Sequence, residues 1–159
     1  MNLEGETLME WMLLPFRKYA QFSGRSRRKE FWMFTLLNCI VYAVIMVLVF
    51  GTAGASMFAD VDPTDPLGIY MGLFSGVGLL LVLWWLAVLV PSIAVTVRRL
   101  HDRDMSGWWY LGFVVVSLVP FVGLIASIAF LVVMVLPGTP GANRFGPDPK
   151  DPSGADVFA

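Results

Sequence analysis

Three long apolar stretches, separated by short polar segments, dominate the pattern of the chain. Residues 31–50, 67–97 and 108–136 contain no Asp, Glu, Lys, Arg or His. Each is long enough to cross a hydrocarbon core of roughly 30 Å as a helix that rises about 1.5 Å per residue. The pattern predicts an all-α integral membrane protein, a small helical bundle in which 31–50 is the first transmembrane helix and 67–97, kinked at Pro91, is the second.

The third apolar stretch, residues 108–136, is interrupted near its middle by Pro120 and Gly123. Two interpretations stay open for it. A single kinked helix gives three crossings in all. A hairpin of two short helices that turns at Pro120 gives four crossings, or a re-entrant pair that enters and leaves on the same side.

The two ends of the chain differ from the spans. Residues 7–22 carry apolar side chains at steps of three and four, which predicts an N-terminal amphipathic helix. This helix either lies in the membrane interface or packs against the protein's own bundle. The tail, residues 137–159, is rich in Pro and Gly and is predicted to be extended. All of these elements form a single membrane domain, residues 1–159.

The composition agrees with a membrane location. The chain is 57% hydrophobic and 14% charged, whereas soluble domains carry about 25% charged residues. A soluble enzyme, a nucleic-acid-binding domain and a disulfide-rich scaffold are therefore excluded. With one cysteine and one histidine, no zinc site of the usual kind and no cofactor are expected. Cys39 is expected to be buried, and Asn38 to bond to a neighbouring helix.

The basic residues indicate the orientation. Six Lys and Arg residues precede the first span, none lies in the acidic segment 51–66, three lie in 98–104 and two in the tail. Since cytoplasmic segments are enriched in Lys and Arg, the N-terminus and residues 98–104 are predicted to be cytoplasmic. The hairpin interpretation brings the C-terminal tail to the same side.

Three segments resemble a known family. They are FSGRSRRKEFW at 22–32, RRLHDRDMSGWW at 98–109 and GTPGANRFGPDP at 138–149. Their order and spacing resemble the bacterial YhaH-like inner-membrane family, also called domain of unknown function 805, over about residues 10–150. The resemblance implies a small multi-pass protein of the bacterial inner (plasma) membrane, and the acidic segment is longer here than in that family.

The predicted topology gathers a polar cluster on the cytoplasmic face. Its members are Arg25, Arg28, Glu30, Arg98, Arg99, His101 and Asp102, and Asn143 and Arg144 join them if the tail lies on the same side. Guanidinium groups can hold phosphate oxygens in bidentate hydrogen bonds beside the lipid headgroups. The leading hypothesis is a noncatalytic module that binds an anionic lipid headgroup or a protein partner. Alternatively, the residues pair with one another, Arg98 with Asp102 and Arg25 or Arg28 with Asp104.

Two other functions are considered. His101 could act as the base of a small membrane-embedded hydrolase or transferase that acts on an anionic headgroup. Adjacent helical residues point about 100° apart, so Asp104 is a better candidate than Asp102 to orient His101. An oligomeric transporter or channel is the third hypothesis, although ionisable residues are missing from the apolar stretches. The bilayer is the expected partner, and a homo-oligomer is left open.

Overall fold

The computed structural model describes residues 7–48, 51, 64–65, 67–68 and 77–150. Within these ranges the regular structure is helical, with an isolated β-bridge and no strand. The helices are α1 (Leu8–Arg17), α2 (Arg28–Leu48), α3 (Val77–Asp102), α4 (Trp108–Ser117) and α5 (Val122–Val135). The acidic segment 51–66, the first part of the 67–97 stretch and the end of the tail lie largely outside the described residues.

The helices α2 and α3 carry the apolar stretches that were expected to span the membrane. By length and composition, they are the two helices in the described ranges that could cross a bilayer. Helix α3 continues through Pro91, which is fully buried. The last residues of α3 are polar, and this end of the helix carries most of the candidate site.

The chain divides into two compact units, Met1–Phe34 with Val90–Ala159 and, separately, Thr35–Leu89. Within the smaller unit, the Trp84 indole Nε1 donates a hydrogen bond to Asn38 Oδ1 at 3.2 Å. The expected bond between Asn38 and a neighbouring helix is therefore confirmed. Cys39 is exposed, so the prediction that it is buried is wrong. An apolar side chain on a membrane helix needs no protein partner, because lipid can cover it.

Helix α1 begins with a capping box and packs inside the larger unit. The Thr7 N–H donates to the Glu10 carboxylate at 2.6 Å, and the Glu10 N–H donates to Thr7 Oγ1 at 3.4 Å. These bonds satisfy backbone donors that have no partner within the helix. Trp11 and Leu14 are buried, whereas Met9 is 68% exposed. One face of α1 therefore packs on the protein, and another remains uncovered.

Helices α4 and α5 form a hairpin, and the tail follows it. The chain turns between Ser117 and Val122, and α4 and α5 pack against each other. After α5, residues 137–150 contain no helix. The Thr139 N–H donates to the Asp102 carbonyl at 2.8 Å. The tail is thereby fixed to the C-terminal end of α3.

Candidate functional site

Asp102, the last residue of α3, lies between two arginines in the larger unit. Arg25 Nε donates to Asp102 Oδ1 at 3.0 Å, and Arg25 Nη2 lies 2.9 Å from the same oxygen. Arg99, one helical turn before Asp102, donates from Nη1 to Oδ2. The two arginine side chains are 1% and 0% exposed. Both carboxylate oxygens of Asp102 are thus bound by buried guanidinium groups.

A second buried ion pair joins α2 to α3. Arg98 Nη2 donates to Glu30 Oε1 at 2.7 Å, and the two side chains are 1% and 3% exposed. Arg98 Nη1 also donates to the backbone carbonyl of Gln21. Lys18 adds a longer contact of 3.8 Å between its Nζ and Glu30. The three ion pairs Arg25–Asp102, Arg99–Asp102 and Arg98–Glu30 are called the polar base below.

The arginines also bind backbone carbonyls that α5 and the tail leave without helical partners. Arg25 donates to Thr139 O and Gly141 O, both at 2.6 Å. Arg99 donates to Met134 O at 3.2 Å and to Leu136 O. The last carbonyls of a helix lack intrahelical donors and carry a partial negative charge, so cations are favoured there. The polar base therefore fixes the position of the tail.

His101 and the tail turn form a neighbouring corner. The His101 ring Nδ1 lies 3.1 Å from Gly24 O, and the ring stacks on Phe145 with centroids 3.9 Å apart. Asn143 Nδ2 donates to His101 O at 2.9 Å. Arg144 Nε lies 3.2 Å from Asp104 Oδ1, in a pair whose side chains are 61% and 47% exposed.

This corner differs from the catalytic arrangement that the sequence suggested. A backbone carbonyl binds His101 Nδ1, and Asp104 pairs with Arg144 instead of orienting the imidazole. The hydrolase or transferase hypothesis with His101 as base stays a prediction, as does the transporter hypothesis. Across the described ranges, no group of three or more His, Cys, Asp and Glu side chains is arranged to hold a metal ion.

A cleft of about 440 Å³ opens between the basic segment that precedes α2 and the tail. Its lining residues are Arg25, Arg27, Arg28, Asp102, Pro137, Gly138, Thr139, Pro140, Asp148, Pro149 and Lys150. Four of these are cations and two are carboxylates. Arg28 and Lys150 are exposed, whereas the Arg25 side chain is buried. This space, called the tail cleft below, can accept a small anionic group.

The structure brings the predicted cluster together but divides its members by burial. Arg98 and Arg99 lie inside the polar base, whereas Arg28 lines the tail cleft. Asp102 pairs with Arg25 and Arg99, not with Arg98 as the alternative interpretation suggested.

Sequence reasoning missed two cations of the tail cleft, Arg27 and Lys150. Arg27 donates to Pro149 O from both Nε and Nη2. The position of Arg27 within the basic run at residues 25–29 was the available signal. No comparable pattern pointed to Lys150.

These features define a small helical membrane protein with two long apolar helices, a short apolar hairpin and a buried polar base. The chain belongs to the family described as "Protein of unknown function (DUF805)", whose model matches residues 19–147. The match includes the whole polar base and ends before Lys150. Two relatives, described next, are named inner membrane proteins, which supports that location for this chain.

Three relatives come from Escherichia coli (strain K12). The chain is 39% identical over 142 residues to inner membrane protein YhaI, which covers 89% of this chain and 97% of that protein. It is also 39% identical over 142 residues to inner membrane protein YhaH, and this alignment covers 89% of this chain and 98% of YhaH. Uncharacterized protein YiiR of the same strain is 28% identical over 163 residues, and this alignment covers 91% of this chain and 92% of YiiR. No solved structure matches the chain.

Proposed function

We propose that the protein is a noncatalytic inner-membrane module that binds the phosphate of an anionic lipid headgroup in the tail cleft. The observation that carries the proposal is the set of cations around this cleft. Arg25, Arg27, Arg28 and Lys150 line one space, and the last two are exposed. Guanidinium and ammonium groups donate charge-assisted hydrogen bonds to phosphate oxygens.

The charge balance of the tail cleft favours an anion. Asp102 is already bound by two arginines. Asp148 accepts hydrogen bonds from the backbone N–H groups of Gly141 and Lys150, at 3.2 and 2.9 Å. Arg28 makes one hydrogen bond of 3.2 Å to Val135 O. Arg28 and Lys150 therefore keep side-chain N–H donors that an incoming phosphate could use.

The position of the cleft along the chain favours a lipid as the source of the phosphate. The lining residues Pro137 to Pro140 directly follow the apolar helix α5. If α5 lies among acyl chains, the cleft opens at the depth of the headgroups. A surface potential created by anionic lipids attracts cations at that depth.

The proposed topology places this site in the cytoplasm. The positive-inside rule assigns the N-terminal segment to that side. Hydrogen bonds of the tail to Arg25 and to the end of α3 support the same side for the tail. In this topology α2 and α3 each cross the membrane once. The arrangement of α4 and α5 decides whether the total reaches the three or four crossings that the sequence predicts.

Lipid retention by native mass spectrometry tests the proposal. The full-length protein is purified, delipidated and titrated with phosphatidylglycerol or with zwitterionic phosphatidylethanolamine. The double variant Arg28→Gln/Lys150→Gln should bind phosphatidylglycerol about 30-fold more weakly, because each cation beside an anionic surface contributes roughly 1 kcal/mol. Arg144→Gln is the matched control, since Arg144 is an exposed cation outside the cleft.

The outcomes separate the possible sources of the anion. Lys150→Gln and Arg144→Gln each remove one positive charge. Equal losses of affinity in these two single variants would mean that only net charge matters and would overturn the cleft assignment. Inorganic phosphate is titrated in parallel. If it binds in the cleft and phosphatidylglycerol does not, the ligand is a soluble phosphate. Because Arg28 also binds Val135 O, Lys150→Gln alone is measured as the variant with the smaller structural effect.

A further inference from the structure

The α4–α5 hairpin is apolar but short. Helix α4 has 10 residues and α5 has 14, which correspond to lengths of about 15 and 21 Å at a rise of 1.5 Å per residue. A bilayer core is about 30 Å thick, and about 40 to 45 Å with its headgroups. Each arm therefore matches the depth of one leaflet better than that of the whole membrane.

Both ends of the hairpin lie at the polar end of α3. At the entrance, Gly107 packs so closely on Val97 that an added Cβ would lie 2.7 Å from Val97 Cγ1. At the exit, Arg99 and Arg28 donate to the carbonyls of Met134 and Val135, at 3.2 Å each. The hairpin consequently leaves from and returns to one polar region.

The tip of the hairpin hydrogen-bonds most of its own backbone N–H groups. The Val122 N–H donates to Pro120 O at 2.7 Å, which closes a γ-turn around Phe121 with φ of 63°. The Gly123 N–H donates to Val119 O at 2.7 Å, and the Leu118 N–H donates to Val115 O at 3.2 Å. Pro120 has no N–H to satisfy. Backbone exposed to lipid must bond internally, and this turn comes close to that requirement.

The surface of the hairpin is suited to lipid at the tip and to the interface at the entrance. At the tip Phe121 is 90% exposed and Leu118 is 78% exposed. Two indoles, Trp108 and Trp109, are exposed where α4 begins. Tryptophan is enriched at the membrane–water interface. The hairpin thus has an interfacial end and a wholly apolar end.

We propose that the α4–α5 hairpin is a re-entrant element that inserts into the acyl chains of the cytoplasmic leaflet and does not cross the membrane. Trp108 and Trp109 lie at the headgroups, and Phe121 lies near the middle of the bilayer. The partner of this apolar surface is lipid. Two crossings, by α2 and α3, then suffice to place both chain ends on the cytoplasmic side.

Accessibility of single cysteines tests this insertion in the full-length protein. Cys39→Ala removes the natural cysteine, and Phe121→Cys or Ser106→Cys is added. A membrane-impermeant maleimide is applied to intact spheroplasts and to inverted membrane vesicles. Ser106→Cys should react only in inverted vesicles. Phe121→Cys should react in neither preparation and should react after detergent solubilisation. Leu118→Cys and Leu124→Cys flank the tip and repeat the test if Phe121→Cys fails to accumulate.

Other labelling patterns overturn the proposal. Labelling of the tip from the periplasmic face means that the hairpin crosses twice. Labelling of the tip as readily as Ser106→Cys in inverted vesicles means that the hairpin lies on the membrane surface. Labelling of Ser106→Cys from the periplasmic face alone assigns the hairpin to the opposite leaflet. A nitroxide spin label at position 121 gives an independent measure of depth. We expect the label to be accessible to oxygen, which dissolves in the acyl chains, and protected from a water-soluble nickel chelate.

Discussion

Two groups among the basic residues of the larger unit differ in burial and in their number of partners. The inner arginines are Arg25, Arg98 and Arg99, whose side chains are at most 1% exposed. Each binds a carboxylate and at least one backbone carbonyl. The outer cations are Arg28 and Lys150 of the tail cleft, with Arg144 beside Asp104.

The difference shows that a cluster of cations can serve two purposes. A buried charge is tolerated only when it is paired and hydrogen-bonded, because removing it from water costs several kcal/mol. The inner arginines meet that condition and hold separate segments of chain together. The outer cations keep exposed surface, and Arg28 and Lys150 line the tail cleft. Stability should therefore follow the inner arginines, and anion binding should follow Arg28 and Lys150, the outer cations that line the tail cleft.

The largest loss of stability is expected for Arg99→Met. This change removes a partner of the buried Asp102 and leaves the Met134 and Leu136 carbonyls without its donors. Breaking a buried ion pair on one side costs about 3–5 kcal/mol. The free energy of unfolding, measured by SDS titration in mixed micelles, reports the effect. Arg28→Met, the same change at an outer cation, should cost far less, and equal losses would remove the distinction between the two groups.

Glu30→Gln should have the next largest effect. It removes the charge that pairs with Arg98 at 2.7 Å but leaves an acceptor oxygen and the Gln21 carbonyl in place. A hydrogen bond to a charged group contributes about 1.5–3 kcal/mol, and we expect a loss in this range. A double-mutant cycle with Arg98→Met measures the coupling. Additive effects of the two changes would contradict a direct pair.

Local patterns predicted much of this fold but not the pairing within the polar base. The apolar stretches indicated α2 and α3, and Pro120 marked the position where α4 and α5 separate. Spacing along α3 suggested Arg98 as the partner of Asp102, whereas the structure pairs Arg98 with Glu30, which is 68 residues away. Such a contact depends on how helices pack, and no local spacing reports it. The tail cleft also depends on two segments that are distant in sequence.

Gly138→Ala tests how rigid the polar base is. An added Cβ at residue 138 would lie 2.6 Å from Asp102 Cγ, and Asp102 cannot move without losing Arg25 or Arg99. Overpacking of this kind typically costs about 1–3 kcal/mol. Gly112→Ala is the matched control, because nothing lies within 4 Å of a Cβ there. If the unfolding free energy of both variants equals that of the wild type, Asp102 is not held as firmly as its two ion pairs indicate.

Arg144→Ala should have the smallest effect on stability. Its pair with Asp104 spans 3.2 Å, and the two side chains are 61% and 47% exposed. Exposed ion pairs contribute about 0–1 kcal/mol, because water and salt screen them. We expect a loss within this range in SDS titration, which diminishes further in high salt. If Arg144→Ala lowered the free energy of unfolding as much as Arg99→Met, the exposure of an arginine side chain would not predict its contribution to stability.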